Sequence, residues 1–235
     1  LTGAQRMKER PIKVLVDALK QLGAEISYQE KEGYPPLKIN GRKLAGNKVT
    51  IDGGISSQYI SALLMIGPEL EDGLILEFKG EIISKPYINM TIEMMHSFGA
   101  NVQWEGNNLK VNPGNYKANN FTVEADWSAA SYWYSMVALA QDADITLFGL
   151  KKESLQGDSV VQEVYKSFGV TTVFVEGGIR IAKDASFVPQ DSVLELDFVN
   201  CPDIAQTVAV TCAALNVKAK LTGLKTLRIK ETDRI

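Results

Sequence analysis

Leu22-Gly23-Ala24-Glu25-Ile26 decides the fold, because the chain repeats it as Phe98-Gly99-Ala100-Asn101-Val102 and as Phe168-Gly169-Val170-Thr171-Thr172. The three glycines recur at intervals of 76 and 70 residues. Each follows a stretch with apolar residues at helical spacing, and glycine suits the left-handed position after a helix. Two short alternating runs joined by a turn come next, which indicates a hairpin. The sequence therefore predicts a repeated helix and hairpin.

A second set of segments alternates with the first. Val49–Asp52, Phe121–Asp126 and Leu194–Asn200 each have the pattern of a strand that closes on a polar residue. Their closing residues recur at intervals of 74, and a helix rich in small and apolar residues follows each. Strands that alternate with helices are typical of α/β proteins, in which helices cover the sheets. The predicted fold class is α/β, with a repeated βαβαββ unit.

A polar loop over residues 112–120, with Asn-Pro-Gly at its start, precedes the fresh repeat at Phe121. Loops of this composition are good boundary candidates. We therefore expect the domain change near residue 122, with one domain over residues 1–122 and a second over 123–235.

Composition narrows the classes of function. The net charge of −3 disfavours nucleic acid as a partner, and the longest apolar runs, such as Ile60–Ile66, are too short to cross a bilayer. Cys201 and Cys212 fit no metal spacing, so we expect reduced thiols, which are typical of the cytoplasm. The first residues, Leu1–Gly3, have the pattern of a strand end and a turn. We therefore expect an internal fragment of a longer protein.

Several expected helix starts suit the binding of anions. Proline stands after a cation in Arg10-Pro11 and Lys85-Pro86, and proline is well tolerated at the first position of a helix. A helix start attracts anions through its unpaired N–H groups and its dipole. Ser56–Gln58 and Ser84 add hydroxyl and amide donors at two such starts. Together they predict a substrate that carries more than one phosphate or carboxylate.

Each of these features also has a structural explanation. Serine is an ordinary helix cap, and the run Arg6, Lys8 and Arg10 is compatible with a solvated surface. Asp203, in Pro202-Asp203, either favours a helix start through the dipole or is a functional carboxylate. The final stretch, residues 228–235, mixes cations with Glu231 and Asp233. It is compatible with a surface salt-bridge network as well as with anion binding and proton transfer.

Taken together, these strings resemble the EPSP synthase (3-phosphoshikimate 1-carboxyvinyltransferase) family. The matching strings stand in the family's order and include Arg6-Met-Lys-Glu-Arg-Pro11, Ser84-Lys-Pro-Tyr87 and Lys230-Glu-Thr-Asp-Arg234. The other strings that match are Asp52–Gln58, Gln156–Asp158 and Pro202-Asp203. The resemblance implies the enolpyruvyl-transferase fold, with two similar domains of three βαβαββ units each, both incomplete in this chain. It also implies transfer of the enolpyruvyl group of phosphoenolpyruvate to the 5-hydroxyl of shikimate 3-phosphate, with release of phosphate and without a metal or organic cofactor.

The resemblance also assigns roles to single residues. The residues expected to bind shikimate 3-phosphate are Ser56, Ser57, Gln58, Ser84, Tyr87, Asp203, Thr226 and Lys230. Those expected to bind phosphoenolpyruvate are Arg10, Gln58 and Arg234. Asp203 is expected to accept the proton of the attacking hydroxyl, and Glu231 to donate a proton to the methylene carbon. Thr226 departs from the family pattern, because many members carry asparagine four residues before the motif lysine.

Several family motifs are absent from these 235 residues, among them the N-terminal Lys-Ser pair and the Asp-His-Arg segment. We therefore expect this piece to fold but not to turn over, because catalysis of this type depends on positioning and charge stabilisation by many groups. The whole enzyme is expected to be a monomer, and the piece by itself is expected to self-associate through exposed sheet edges. Two alternatives stay open: a UDP-N-acetylglucosamine enolpyruvyl transferase, and a non-catalytic α/β scaffold that binds a phosphorylated ligand.

Overall fold

The structure, a computed structural model, describes residues 1–188, 192–225 and 227. The chain divides into two compact units, Leu1–Asn120 and a second that begins at Phe121. The predicted boundary near residue 122 between parts of two family domains stays a prediction. Within the described part of the chain, every helix is too short or too polar to pass through a bilayer.

The first unit opens with a helix and a hairpin. Its elements are α1 (Gln5–Lys8), α2 (Lys13–Gln21), β1 (Glu25–Tyr28) and β2 (Leu37–Asn40), with the two strands antiparallel. Gly23, which follows α2, has a φ of 97°, the left-handed conformation that the repeated motif predicts. Val16 of α2 is buried against Ile26 and Leu37 of the hairpin. This segment matches the second half of the predicted repeat.

A complete βαβαββ unit follows, as predicted. Its elements are β3 (Lys48–Asp52), α3 (Ser57–Ile66), β4 (Leu74–Lys79), α4 (Lys85–Ser97), β5 (Val102–Glu105) and β6 (Asn108–Val111). The sheet order is β3-β4-β6-β5, with β3 and β4 parallel and the other pairs antiparallel. A parallel pair needs a crossover, which α3 provides. The apolar faces of both helices and of the sheet share one core.

The second unit follows this pattern in part, with one sheet of three strands and one of two. Its elements are α5 (Trp127–Leu139), β7 (Asp144–Phe148), α6 (Val161–Val164), β8 (Val170–Val175), β9 (Gly178–Lys183), β10 (Leu194–Asp197), α7 (Ala205–Ala214) and β11 (Ala219–Thr222). The order β7-β9-β8 is antiparallel throughout, whereas β10 and β11 are parallel. Trp127, Tyr134, Tyr165 and Phe168 lie at the centre of the core.

Two predicted strands need correction. Residues 121–126 do not form a strand, and Phe121 and Val123 are 43% and 81% exposed. The segment is held instead by the Glu124 carboxylate, which accepts hydrogen bonds from Trp127 Nε1 (2.9 Å) and Ser154 Oγ (2.8 Å), among others. A charged side chain with several donors fixes this stretch without a strand ladder.

The strand predicted over residues 194–200 ends at Asp197. Its carboxylate accepts a hydrogen bond from Val199 N (3.1 Å), and this turn stops the ladder. Asp52 and Asp126 make the same bond, to Gly54 N and Ser128 N, at 2.7 Å in both cases. Asp197, and not Asn200, is therefore the third member of the repeated set.

Helices α5 and α7 are joined by buried hydroxyl groups. Ser131 Oγ donates to Thr207 Oγ1 (3.0 Å), and Ser135 and Thr211 share a hydrogen bond of 2.8 Å. The hydroxyl of Tyr165 bonds Thr211 Oγ1 at 2.9 Å. Burial raises the pKa of Tyr165 to about 12, so this phenol stays protonated well above neutral pH.

Both cysteines are buried free thiols, as expected. Burial raises the pKa of the Cys201 thiol to about 12, and the nearby carboxylates of Asp158 and Asp197 act in the same direction. A thiol with so high a pKa carries almost no thiolate at neutral pH, so Cys201 is a poor nucleophile.

Candidate active site

The candidate site in the first unit lies where the parallel strands β3 and β4 end. Gly53 N donates to Lys79 O (2.8 Å), and Ile83 N donates back to Gly53 O (3.1 Å). These bonds hold the loop before α3 beside the loop before α4. Ligands of open α/β sheets bind outside the carboxyl ends of the strands. The structure therefore brings Ser56 and Ser57 to the same edge of the sheet as Ser84.

Gly53 is required by the close approach of the two loops. A Cβ atom at this position would stand 2.7 Å from the carbonyl oxygen of Glu81 and 3.1 Å from Cα of Ile82. Both are backbone atoms, so a side chain at residue 53 forces the loops apart. The two serine-bearing loops can therefore lie this close together only because residue 53 has no side chain.

We expect Gly53→Ala to lower the free energy of unfolding by about 1–3 kcal/mol, the usual cost of a forced backbone shift. The matched control is Gly41→Ala, because a Cβ there meets nothing within 4 Å. Urea unfolding of both variants measures the difference. An equal effect of the two substitutions would contradict the account of Gly53.

Ser56 and Ser84 occupy the N-cap positions of α3 and α4, yet neither of these described serines bonds its helix through the side chain. Asp126 behaves differently, since its carboxylate accepts from Ser128 N (2.7 Å) and Ala129 N (3.2 Å) at the start of α5. Ordinary capping therefore explains Asp126 and leaves the roles of the two serine hydroxyls unexplained. A hydroxyl that does not cap its helix can still bind an anion at the helix start.

Ser84 also has an unusual backbone. Its φ of 54° and ψ of 34° are left-handed, and the side chain is only 6% exposed. A non-glycine residue pays of order 1–2 kcal/mol for this conformation. Such strain collects at functional sites, where surrounding structure maintains it. The observation supports the prediction that Ser84 is a binding residue.

Gln58 and Tyr87 lie in the first turns of α3 and α4, exposed and half-buried respectively. One turn further along, Ser61 Oγ and Thr91 Oγ1 share a hydrogen bond of 2.7 Å between the two helices. Thr91 Oγ1 also bonds Tyr87 O at 3.2 Å. The two helices are thus joined close to the predicted site, which fixes the spacing of Gln58 and Tyr87.

A tyrosine of α3 forms a hydrogen bond to the residue that follows Arg10. The hydroxyl of Tyr59, on α3, donates to Pro11 O at 2.5 Å. Burial raises the pKa of Tyr59, and the positive charge of Arg10 acts in the opposite direction, as expected for a cation close to the phenol. Arg6 and Lys8 form ion pairs with nearby glutamates, as the solvated-surface interpretation predicts. Arg10 is the member of the run that lies beside the start of α3.

In the second unit, Asp203 lies in the 3-10 turn Pro202–Ile204 that leads into α7. This turn follows β10, whose partner β11 is parallel, so Asp203 stands at the carboxyl end of a parallel pair like the serines of the first unit. The side chain is half-buried. The other predicted site residues, Thr226, Lys230, Glu231 and Arg234, lie outside the described residues.

Two residues at or near the predicted motifs were not predicted. Tyr59 directly follows Ser56-Ser57-Gln58, and its position on α3 was the only signal available. Asp158, in the Gln156-Gly157-Asp158 string, is 1% exposed and accepts a hydrogen bond from the hydroxyl of Ser128. A buried carboxylate beside the start of α5 could not be inferred from the string alone.

Within the described ranges, no group of three His, Cys, Asp or Glu side chains has the geometry for a metal ion.

The fold and the site together define an α/β protein of repeated βαβαββ units, with polar helix starts at the carboxyl ends of its parallel strands. The model of the EPSP synthase (3-phosphoshikimate 1-carboxyvinyltransferase) family matches residues 1–235. The chain belongs to this family.

Named relatives agree with the family model. A 3-phosphoshikimate 1-carboxyvinyltransferase of Bacteroides fragilis is 54% identical over 236 residues, and one of Haemophilus influenzae is 40% identical over 238 residues. The whole chain is covered in both, and it spans 57% and 54% of the length of these relatives. The solved structure of an EPSP synthase from Acinetobacter baumannii matches with a TM-score of 0.71 and 23% identity, covering 100% of this chain and 53% of that one. At this identity the structural match supports the fold alone.

Proposed function

We propose that this sequence forms part of an enzyme that transfers the enolpyruvyl group of phosphoenolpyruvate to the 5-hydroxyl of shikimate 3-phosphate and releases phosphate. The observation that carries the proposal is the joined pair of loops at the ends of β3 and β4, bonded at Gly53 to Lys79 and Ile83. The loops present serine hydroxyls at two adjacent helix starts. Both proposed substrates carry a phosphate and a carboxylate, which are the anions that such an edge favours.

In this proposal the first unit binds shikimate 3-phosphate. Ser56, Ser57 and Ser84 donate hydrogen bonds to its phosphate, and the dipoles of α3 and α4 add favourable charge. Tyr87 lines the same pocket, and Gln58 lies between the two substrates. Hydrogen bonds to a charged group are stronger than neutral ones, so three hydroxyls suffice to orient the ligand.

The remaining roles concern phosphoenolpyruvate and proton transfer. Arg10 and Arg234 hold phosphoenolpyruvate, because guanidinium groups bind phosphate and carboxylate in a bidentate manner. Asp203 accepts the proton of the attacking hydroxyl, and Glu231 donates a proton to the methylene carbon. Lys230 and Thr226 complete the contacts to shikimate 3-phosphate.

The test of the proposal uses the whole enzyme, a protein of the relatives' full length that carries this sequence. Phosphate release is measured with phosphoenolpyruvate and shikimate 3-phosphate together, and then with each alone. Release that requires both substrates supports the proposal. Calorimetric binding of shikimate 3-phosphate without any phosphate release would instead support the non-catalytic scaffold.

Ser84→Gly separates binding from stability at one residue. Glycine adopts the left-handed conformation without strain, so we expect the free energy of unfolding to rise by about 1 kcal/mol. Loss of a hydrogen bond to a phosphate should weaken the binding of shikimate 3-phosphate by roughly 10–100-fold. Urea unfolding and calorimetry measure the two effects.

Ser84→Ala is the matched control, because it removes the hydroxyl but retains the strained backbone. We expect the same loss of affinity without the gain in stability. Unchanged affinity in both variants would remove Ser84 from the binding site.

Three further expectations stay predictions: a monomeric whole enzyme, self-association of this chain by itself, and a location in the cytoplasm. The buried free thiols of Cys201 and Cys212 are consistent with a reducing compartment.

A further inference from the structure

Two tyrosines bond α3 to distant parts of the first unit. Tyr59, near its start, donates from its hydroxyl to Pro11 O at 2.5 Å. Tyr116 donates from its hydroxyl to Met65 O, near the end of the helix, at 2.8 Å. Burial raises the pKa of both phenols, so both are protonated donors at neutral pH. The two bonds are chemically alike, but only that of Tyr59 reaches the predicted site.

The segment around Pro11 carries Arg10. It connects the single turn of α1 to α2, and Arg10 is exposed. Its backbone is fixed on one side by Ile12 N, which donates to Gly33 O at 2.8 Å. The bond from Tyr59 fixes the peptide between Arg10 and α2 against the helix that begins at Ser57. The Tyr59 hydroxyl therefore contributes to the position of the Arg10 backbone relative to Ser56–Gln58.

We propose that Tyr59 is a positioning residue: its hydroxyl holds the Pro11 carbonyl so that the Arg10 guanidinium faces the phosphoenolpyruvate bound beside Gln58. This inference rests on the proposed function, because Arg10 is there assigned to phosphoenolpyruvate. A guanidinium grips an anion in a bidentate manner only when its direction is fixed. Displacement of about 1 Å at a positioning contact is enough to weaken a reaction strongly.

The experiment compares Tyr59→Phe with Tyr116→Phe in the whole enzyme. Each substitution removes one hydroxyl that bonds a backbone carbonyl and leaves the ring in place. For Tyr59→Phe we expect the KM for phosphoenolpyruvate to rise about 3–10-fold, the usual range for one lost hydrogen bond. The dissociation constant for shikimate 3-phosphate should stay unchanged. Tyr116→Phe should leave both constants unchanged.

Arg10→Ala is the second substitution of a double-mutant cycle with Tyr59→Phe. We expect Arg10→Ala alone to raise the KM for phosphoenolpyruvate, and Tyr59→Phe to have no further effect in that background. A rise in KM that is equal for both tyrosine variants, or that persists undiminished without Arg10, overturns the positioning role. An unchanged KM in Tyr59→Phe overturns it as well.

The cycle also separates this inference from the proposed function. If Arg10→Ala leaves the KM for phosphoenolpyruvate unchanged, the assignment of Arg10 to that substrate is wrong, and the positioning role falls with it. If Arg10→Ala raises the KM and Tyr59→Phe does not, only the inference about Tyr59 is overturned.

Discussion

Asp203→Asn is expected to lower the kcat of the whole enzyme by about 10²–10⁴-fold, the range that a general base contributes. Asparagine has the shape of aspartate and accepts hydrogen bonds, but it cannot take up a proton from the attacking hydroxyl. Asp203 lies in the turn that leads into α7, at the carboxyl end of the parallel pair β10 and β11. A group at this edge is within the region where ligands of α/β sheets bind.

The same substitution distinguishes the catalytic role from the structural one. As a helix cap, asparagine is about as good as aspartate, and loss of the charge near a helix start costs only about 0.3–1 kcal/mol. We therefore expect the urea midpoint of Asp203→Asn to change little. Asp203→Ala should lower kcat to a similar extent. A variant that retains its kcat per folded molecule, while losing stability, would identify Asp203 as a cap only.

The repeat could be predicted because its signals are local. A glycine after each repeated helix and a two-residue turn in the hairpins β5–β6 and β8–β9 depend on short stretches of backbone, and Gly23, Gly99 and Gly169 all have the expected positive φ. The apolar alternation of β3 and β4 likewise follows from burial of one face. Such features require no knowledge of distant residues.

The wrongly predicted strand and the residues that were missed depend on contacts between positions far apart in the sequence. The prediction of a strand at residues 121–126 was wrong. The Glu124 carboxylate accepts hydrogen bonds from the loop at residues 151–156, some 30 positions away, and these bonds hold the segment instead. The bond from Tyr59 to Pro11 spans 48 residues, and the alternation of apolar residues says nothing about it. The site motifs could be found by their resemblance to a family. The strain at Ser84 and the tight approach at Gly53 arise only in the folded chain.

The buried hydroxyls between α5 and α7 are a second feature that the sequence pattern did not reveal. Serine and threonine within these helices have the composition of ordinary small helix residues, yet Ser131 and Thr211 are completely buried. Each hydroxyl is satisfied by another: the Thr211 side chain donates to Thr207 O at 2.9 Å and, having one proton, accepts from Ser135 and Tyr165. A buried polar network stabilises a fold only when every member is paired.

Thr211→Val is therefore expected to lower the free energy of unfolding by roughly 1–3 kcal/mol, although valine matches threonine in volume. The substitution removes the shared acceptor of the Ser135 and Tyr165 hydroxyls; because these two also hydrogen-bond each other, one donor is left unsatisfied in the core, which costs about 1–3 kcal/mol. Domains of ordinary stability have only about 5–15 kcal/mol in total, so this loss is substantial. Urea unfolding, followed by far-UV circular dichroism, measures it.

Removing the hydroxyl groups that have lost their acceptor should restore most of the lost stability. We expect the triple variant Ser135→Ala, Tyr165→Phe, Thr211→Val to be more stable than Thr211→Val alone, because an apolar cluster of similar shape replaces a network with missing partners. Thr211→Ser, which retains the hydroxyl, should lose only about 1 kcal/mol for the missing methyl group. If Thr211→Ser and Thr211→Val are equally destabilised, packing of the methyl group, rather than hydrogen bonding, holds α5 and α7 together.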